Sequence, residues 1–498
     1  MRPQLDLRAP SERLFIGGEW TTARSGGSFD SVCSATGEVI APVAEATAPD
    51  VDLAVQAAHG AFSTWSQTTT AERYDALMSM ASRLRSQLDR LTLIEVVDVG
   101  ATISRMKGSV GRAVDTFETY AGWARHLRGS TTAVGPTQLA MTLREPLGVV
   151  AQIIPFNVPL LFAARAIATS LVTGNTVVLK PSEYTPLTAL ELAELTRDVL
   201  PAGTVNVLTG YGESCGVPLV AHDMVRKVHF RGSMSTGRQV RMACAARDIP
   251  CSLELGGKNP LVVYPDADIP AAVRGAIRGL NLNNQGQSCG SPTRLLVHDD
   301  VYDEFRERLV AGFADVRVGL PWDSTAQMGS IVSGPQYNRV LSYLDGGTRS
   351  DGCRLLIGGG PIDRSGRPDL PAAGLFIEPT VFEVADPTLP IATEEVFGPV
   401  TCLFRWNDES EMLRLVNGLD YGLTASVWTH DLTTAHRTAR RVQAGTVWIN
   451  QHGVSPAGVP RGGWKASGVG KEGAIEEIES YTQEKTVIVH LPESQREM

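Results

Sequence analysis

The sequence predicts an α/β protein with two parallel sheets in series, and three observations predict it. Short β-branched apolar runs alternate with helical segments, and they do so twice along the chain. The strand-like runs are continuously apolar, as strands covered on both faces are. The chain has 498 residues, and at about 100–200 residues per domain that is room for two to four domains.

Taken in order, Asp50 to Arg128 reads as mostly helical. Val149–Ile154 is a buried strand. Leu160–Thr173 is an Ala-rich helix ended by Gly174-Asn175, a C-cap pair. Thr176–Leu179 is a second strand, and Thr185–Leu200 a helix with Pro186 near its start. Val205–Leu208 and Val225–Phe230 are strands, and a helix follows Ser235. The pattern resumes with strand Leu261–Tyr264, helix Ile269–Asn283, strand Arg294–Val297 and helix Val301–Ala314. Glu484–Leu491 alternates and reads as a terminal strand.

Composition excludes several function classes. Apolar residues make up 43% and charged residues 20%, ordinary for a globular chain, and the net charge is −9. No basic stripe for nucleic acid is present; Arg437 to Arg441 reads as a solvated helix face. The seven cysteines are scattered without a CxxC pair, so neither a disulfide framework nor a metal site is expected, and a reducing, cytoplasmic location is. The N-terminus lacks a signal-peptide apolar core. The best membrane candidate, the uncharged run Gly148 to Ala164, holds Pro155, Asn157 and Pro159 and is short for a span of about 20 residues, so no membrane contact is expected.

Four segments carry chemistry. In Pro155-Phe156-Asn157-Val158-Pro159 an amide sits on stiff backbone, either a fixed hydrogen-bond donor or an ordinary turn residue. Glu254 lies between leucines and precedes Gly256-Gly257; desolvation there suits a general base, and an ion pair with Lys258 is the plainer alternative. Cys289 ends the polar, glycine-bearing turn Asn284-Gln285-Gly286-Gln287-Ser288, a setting none of the other six cysteines has. Arg231-Gly232-Ser233 joins a strand to a helix, where backbone N–H groups can meet a pyrophosphate. Gly468-Val469-Gly470-Lys471-Glu472-Gly473 matches GxGxxG but opens no βαβ unit, so it is not expected to bind phosphate.

Together with Phe15-Ile16-Gly17-Gly18-Glu19-Trp20, LKPSE, EEVFGPV and PRGGWKASGVG, all in order, these segments resemble the NAD(P)-dependent aldehyde dehydrogenase superfamily over nearly the whole chain. The resemblance implies a Rossmann-type cofactor domain (residues 1–128 and 147–256), an α/β catalytic domain (257–466), and a small β oligomerisation flap with a C-terminal tail (129–146 and 467–498), in a homodimer or homotetramer. It implies Cys289 as nucleophile, Asn157 as oxyanion donor and Glu254 as general base acting on a small-molecule aldehyde. For NAD, with NADP as the weaker alternative, it implies Ile153, Ile154, Pro155, Phe156, Lys180, Glu183, Gly232, Ser233, Glu395 and Phe397.

Val158, Arg165, Ser455 and Arg461 match substrate-tunnel positions, and two arginines there suit an acid-terminated semialdehyde. The alternative is that the arginines pair with protein carboxylates and the substrate is aromatic or aliphatic. Two further readings are oxidation with transfer to CoA, which Glu254 argues against, and a catalytically silent protein on the same fold. Three departures from the family pattern stand out. Arg231 occupies a position where many members carry Thr. Glu254 and Cys289 are one residue further apart than usual. Asp98-Val99-Gly100 departs from the commoner acidic–Asn–Gly pattern.

Overall fold

The computed structural model describes residues 2–491. Its first large sheet has eight strands, in the order Gly468–Val469, Cys251–Glu254, Val225–Arg231, Val149–Ile153, Thr176–Lys180, Val205–Val207, Leu14–Ile16, Glu19–Thr21. Its five central strands run parallel, and antiparallel strands close both edges. The second sheet has seven strands, in the order Cys353–Ile357, Thr380–Val384, Val400–Trp406, Pro292–His298, Asn259–Val263, Thr424–Trp428, Thr446–Ile449. It is parallel except at the Cys353–Ile357 edge. Apolar strands such as Thr176–Lys180, buried at every residue, need covering on both faces. Helix Pro159–Val172 supplies one cover and is itself buried along nearly its whole length.

Helices 48–65, 70–85, 88–99 and 103–123 precede the first central strand, as the helical reading of that region expects. Two helices are shorter than expected. The one read as Thr185–Leu200 spans Leu187–Thr196, because Pro186 caps it and Asp198 takes a positive φ of 61°. The one read as Ile269–Asn283 stops at Gly279. Asn281 (φ 56°) and Gln285 (φ 54°) are both left-handed there, and they start the turn that carries Cys289.

Strands Thr131–Gly135, Gln138–Pro146 and Thr482–His490 form a separate antiparallel sheet. Residues 467–498 do not all belong with it. Gly468–Val469 returns to the first sheet as the edge partner of Cys251–Glu254, and helix Ile475–Glu479 packs on Pro159–Val172. The physical reason is that the Cys251–Glu254 edge would otherwise leave its backbone groups unpaired. The part of the expected tail at 492–498 lies outside the described residues. Among the described residues no helix is long and apolar enough to cross a membrane, and no cluster of His, Cys, Asp or Glu is arranged to hold a metal ion.

Candidate active site

The Cys289 turn is held by side-chain amides. Asn259 donates to the carbonyls of Cys289 (2.7 Å) and Ser291 (2.9 Å). Asn284 donates to the carbonyls of Gln287 and Asn157, both at 3.1 Å. Gln287 donates to Gln285, which donates to the Gly100 carbonyl. Gly257 must lack a side chain, since a Cβ there would stand 2.8 Å from the Cys289 carbonyl oxygen.

Asn157 follows strand Val149–Ile153 and precedes helix Pro159–Val172, and it is only 5% exposed. Its amide donates one N–H to the Gln287 carbonyl at 3.0 Å, two residues before Cys289. An amide nitrogen has two N–H bonds, so one remains for a ligand.

Cys289 is half-buried. Burial and the nearby carboxylates of Glu254, Glu395 and Glu472 push its thiol up to about 12. Exposure alone does not single it out, because Cys251 and Cys353 are equally half-buried.

Glu254 ends its strand and sits in the same electrostatic neighbourhood as Cys289. Burial, then the Glu472 charge, raises it to about 8, while Arg231, Arg461 and Arg165 pull it down. The alternative pairing with Lys258 does not occur: that ammonium donates to the Ile391 carbonyl at 2.7 Å.

Among the residues expected to bind the cofactor, Lys180 is buried. It donates to the Pro181 carbonyl at 3.0 Å and lies 3.9 Å from Glu183, too long for a tight ion pair. Ser233 caps helix Met234–Ala245, accepting from the Thr236 N–H at 3.2 Å. Gly232 has no room for a side chain, since a Cβ would meet the Phe230 ring at 2.6 Å. Glu395 accepts from the Gly257 N–H at 3.0 Å, and burial raises it to about 7. Phe397 holds a positive φ of 56°, strained for an aromatic residue, and Gln336 pins it by donating to its carbonyl at 2.9 Å. Its ring meets Phe156 edge-on at 5.6 Å. Ile153, Ile154 and Pro155 lead from the central strand into this corner.

The four residues expected at the substrate end divide. Val158 is buried at the entry of its helix. Arg165 is committed to a protein carboxylate, Glu472, at 2.8 Å. A substrate carboxylate at Arg165 is therefore displaced by the alternative kept open above, a pairing within the protein. Arg461 bonds Ser455 through its guanidinium and makes no ion pair among the described residues.

Sequence reasoning singled out Arg231 but missed the groups it meets. Strand Val225–Arg231 carries Lys227, His229 and Arg231 at a spacing of two, so all three project to one face. Their partners are Ser252, Tyr481 and Glu472. The signal was present: three basic residues alternating in a strand that must be buried. Glu472 comes from the very segment set aside as a failed phosphate loop, and its backbone pairs with Arg461.

The aldehyde dehydrogenase family model matches residues 20–487. This chain belongs to the aldehyde dehydrogenase family. Aldehyde dehydrogenase tropH of Talaromyces stipitatus is 42% identical over 486 residues, covering 96% of this chain and 93% of that one. A hydroxyisobutyraldehyde dehydrogenase of Mycolicibacterium austroafricanum is 40% identical over 483 residues, covering 97% and 94%. Among solved structures, betaine aldehyde dehydrogenase of Staphylococcus aureus in complex with NAD+ superposes with a TM-score of 0.93 at 34% identity, covering 98% of this chain and 97% of that one. An NAD+ complex of an aldehyde dehydrogenase from Bacillus cereus matches equally well, with a TM-score of 0.93 at 34% identity and coverage of 98% and 100%. This aldehyde dehydrogenase thus shares its whole architecture with them.

Proposed function

We propose that this aldehyde dehydrogenase oxidises an aldehyde to its carboxylic acid through a thioester on Cys289, with NAD as cofactor. The observation that carries this reading is the Asn157 amide, tied to the Gln287 carbonyl two residues from the thiol. It brings an oxyanion donor to the nucleophile without using its second N–H. The residues present also fit a dinucleotide: a buried ammonium held off the Glu183 carboxylate at 3.9 Å, a capped helix start, and a Glu395 carboxylate that accepts from Gly257 through one oxygen. When bound, NAD supplies the hydride acceptor and a positive ring charge.

The chain's own residues do the rest. Cys289 is a thiol at rest, and its proton passes to solvent before the thiolate attacks, which leaves Glu254 for the water step. Sulfur adds to the carbonyl carbon, and the free Asn157 N–H with the Cys289 backbone N–H holds the oxyanion. Loss of hydride leaves a thioester. Glu254 then takes a proton from water, the C–O bond forms, the C–S bond breaks, and Cys289 leaves as thiolate.

For the substrate, Arg461 with Ser455 favours an acid or other strongly polar group at the end away from the aldehyde. A guanidinium without a carboxylate partner supports this reading. The test compares succinic semialdehyde and longer acid-terminated aldehydes with propanal, hexanal and benzaldehyde, with and without CoA. Acid-terminated compounds should show the higher kcat/KM, and Arg461→Ala should raise KM for them alone. Equal KM changes across the panel make Arg461 structural, and a requirement for CoA replaces hydrolysis by acyl transfer.

A further inference from the structure

The basic face of strand Val225–Arg231 carries more positive charge than its one carboxylate partner, Glu472, balances. Lys227 donates to Ser252 at 2.9 Å and lies over the Tyr481 ring, its Nζ 4.7 Å from the centroid. His229 meets the Tyr481 hydroxyl at 2.8 Å through Nδ1 and Glu472 at 3.0 Å through Nε2. Arg231 and Arg165 both press on Glu472, at 2.6 Å and 2.8 Å. One carboxylate thus faces two guanidinium groups. Arg165 makes an aligned hydrogen bond to it, whereas none of the three Arg231 nitrogens makes an aligned hydrogen bond among the described residues. Arg231 is nevertheless only 5% exposed, with the Phe162 ring 4.9 Å away. Sharing Glu472 with Arg165 leaves the buried Arg231 charge incompletely compensated, so a second carboxylate that ionises beside it is stabilised.

The register of the sheet names that anion. Strands Val225–Arg231 and Cys251–Glu254 run parallel, and Arg231 is paired with Glu254. Paired residues on neighbouring strands project to the same face. We propose that Arg231 is the counter-ion of ionised Glu254: it leans on Glu472 while Glu254 is protonated and turns its remaining N–H groups to Glu254 when that carboxylate is charged, so that Arg231 sets the pH at which the base is available. It is a positioning residue, acting through Glu254. The inference rests on the reading of Glu254 as the deacylating base.

The other charged groups facing Glu254 cannot play this part. Glu472, from the segment after Gly468–Val469, repels it. Arg165, on helix Pro159–Val172, is bound to Glu472, and Arg461, on the loop after Thr446–Ile449, is not on the strand paired with Glu254 and opposes its rise less strongly than Arg231 does. Cys289 carries no positive charge. His229 is held neutral, pushed down to about 4 by burial and by Arg231. Among the charges that oppose the rise of Glu254, that of Arg231 acts most strongly.

The experiment follows the NADH burst and the steady-state rate from pH 5.5 to 9.5 in the full-length enzyme with NAD and propanal. The burst reports steps up to hydride transfer, and the steady state reports thioester hydrolysis. Arg231→Met and Arg231→Thr should each move the acid limb of the steady-state profile up by about one pH unit, roughly tenfold less turnover at the low end, while the burst persists. Arg231→Lys should restore most of the shift, and Glu472→Gln should move the limb the opposite way. A limb that stays in place in both Arg231→Met and Arg231→Thr overturns the proposal. Glu254→Gln separates this from the underlying reading. If it keeps a full steady-state rate, Glu254 is not the base; if it gives a burst and slow turnover while the Arg231 variants leave the limb unmoved, only the counter-ion role falls.

Discussion

The turn that carries Cys289 and the wall that carries Glu254 lie side by side and are built from different chemistry. Neutral amides hold the turn: Asn157, Asn259, Asn284, Gln285 and Gln287. Ions make the wall: Arg231, Arg165, Arg461 and Glu472 surround Glu254. Amides do not titrate in the working range, so hydrogen bonds of about 1 kcal/mol each fix the nucleophile at every pH. Ions change a neighbour's proton affinity, which is what a base needs and an oxyanion donor does not. Position is thus entrusted to groups without charge, and proton transfer to groups with it.

The largest expected effect sits at the turn. Cys289→Ala should lower NADH formation by at least ~10⁴-fold, since no covalent route remains, while calorimetry still shows NAD binding. Cys251→Ala and Cys353→Ala, at cysteines that are also half-buried, should stay within about twofold of the parent, because neither lies in the Asn284–Cys289 turn. Near-normal turnover of Cys289→Ala would remove the nucleophile from the mechanism.

Next comes the donor. Asn157→Ala should cost about 10²–10³ in kcat, the usual range for a lost oxyanion donor, with both limbs of the pH profile in place. A shifted limb would mean that the amide turn also handles protons, and the contrast between turn and wall would fail.

A smaller effect tests charge used for selection. In the proposed reading Glu183, 3.9 Å from Lys180, accepts from a ribose 2′-OH and repels a 2′-phosphate. NAD should be preferred over NADP by about tenfold, ~1.4 kcal/mol, with Lys180 offsetting part of the repulsion. Glu183→Gln should narrow the ratio of kcat/KM values; an unchanged ratio assigns the preference elsewhere.

How much of this was legible in the sequence follows the same division. Asn157, Glu254 and Cys289 announce themselves because each combines a reactive group with prolines or glycines that disclose an unusual backbone. The central strands were legible because continuous apolar runs need two covers. The ionic wall was not, because its members come from residues 165, 231, 461 and 472 and meet only through sheet register and a returning edge strand. Arg165 and Arg461 looked alike as letters, yet Glu472, supplied by a segment more than 300 residues from Arg165, neutralises only the first. Phe397 gave no warning of its left-handed backbone, since aromatic residues rarely adopt one.

The smallest prediction concerns two buried carboxylates that hold the site without touching it. Glu95, on helix Leu88–Val99, accepts from the Leu160 N–H at 2.7 Å and the Thr188 hydroxyl at 3.0 Å, so it caps the helix that follows Asn157. Asp98, one turn on, accepts from the Leu187 N–H at 3.2 Å and caps the helix that follows Glu183. Burial raises Glu95 from 4.5 to about 7 and Asp98 from 3.8 to about 7, against the downward pull of those hydrogen bonds. The folded protein therefore binds more protons than the unfolded chain between about 4 and 7, and its stability falls as pH rises through that window. Glu95→Gln keeps an acceptor oxygen for both donors and removes the titration. Its amide N–H₂ replaces an oxygen without a partner, which adds an offset that does not vary with pH. The slope is the diagnostic quantity. Urea unfolding at pH 5.0 and pH 8.0 should show wild type losing stability with pH by more than the variant does. The difference should be at most about 3 kcal/mol, since each unit of pKa shift corresponds to about 1.4 kcal/mol. Identical slopes would mean that Glu95 stays ionised in the fold and caps Leu160 as a full charge.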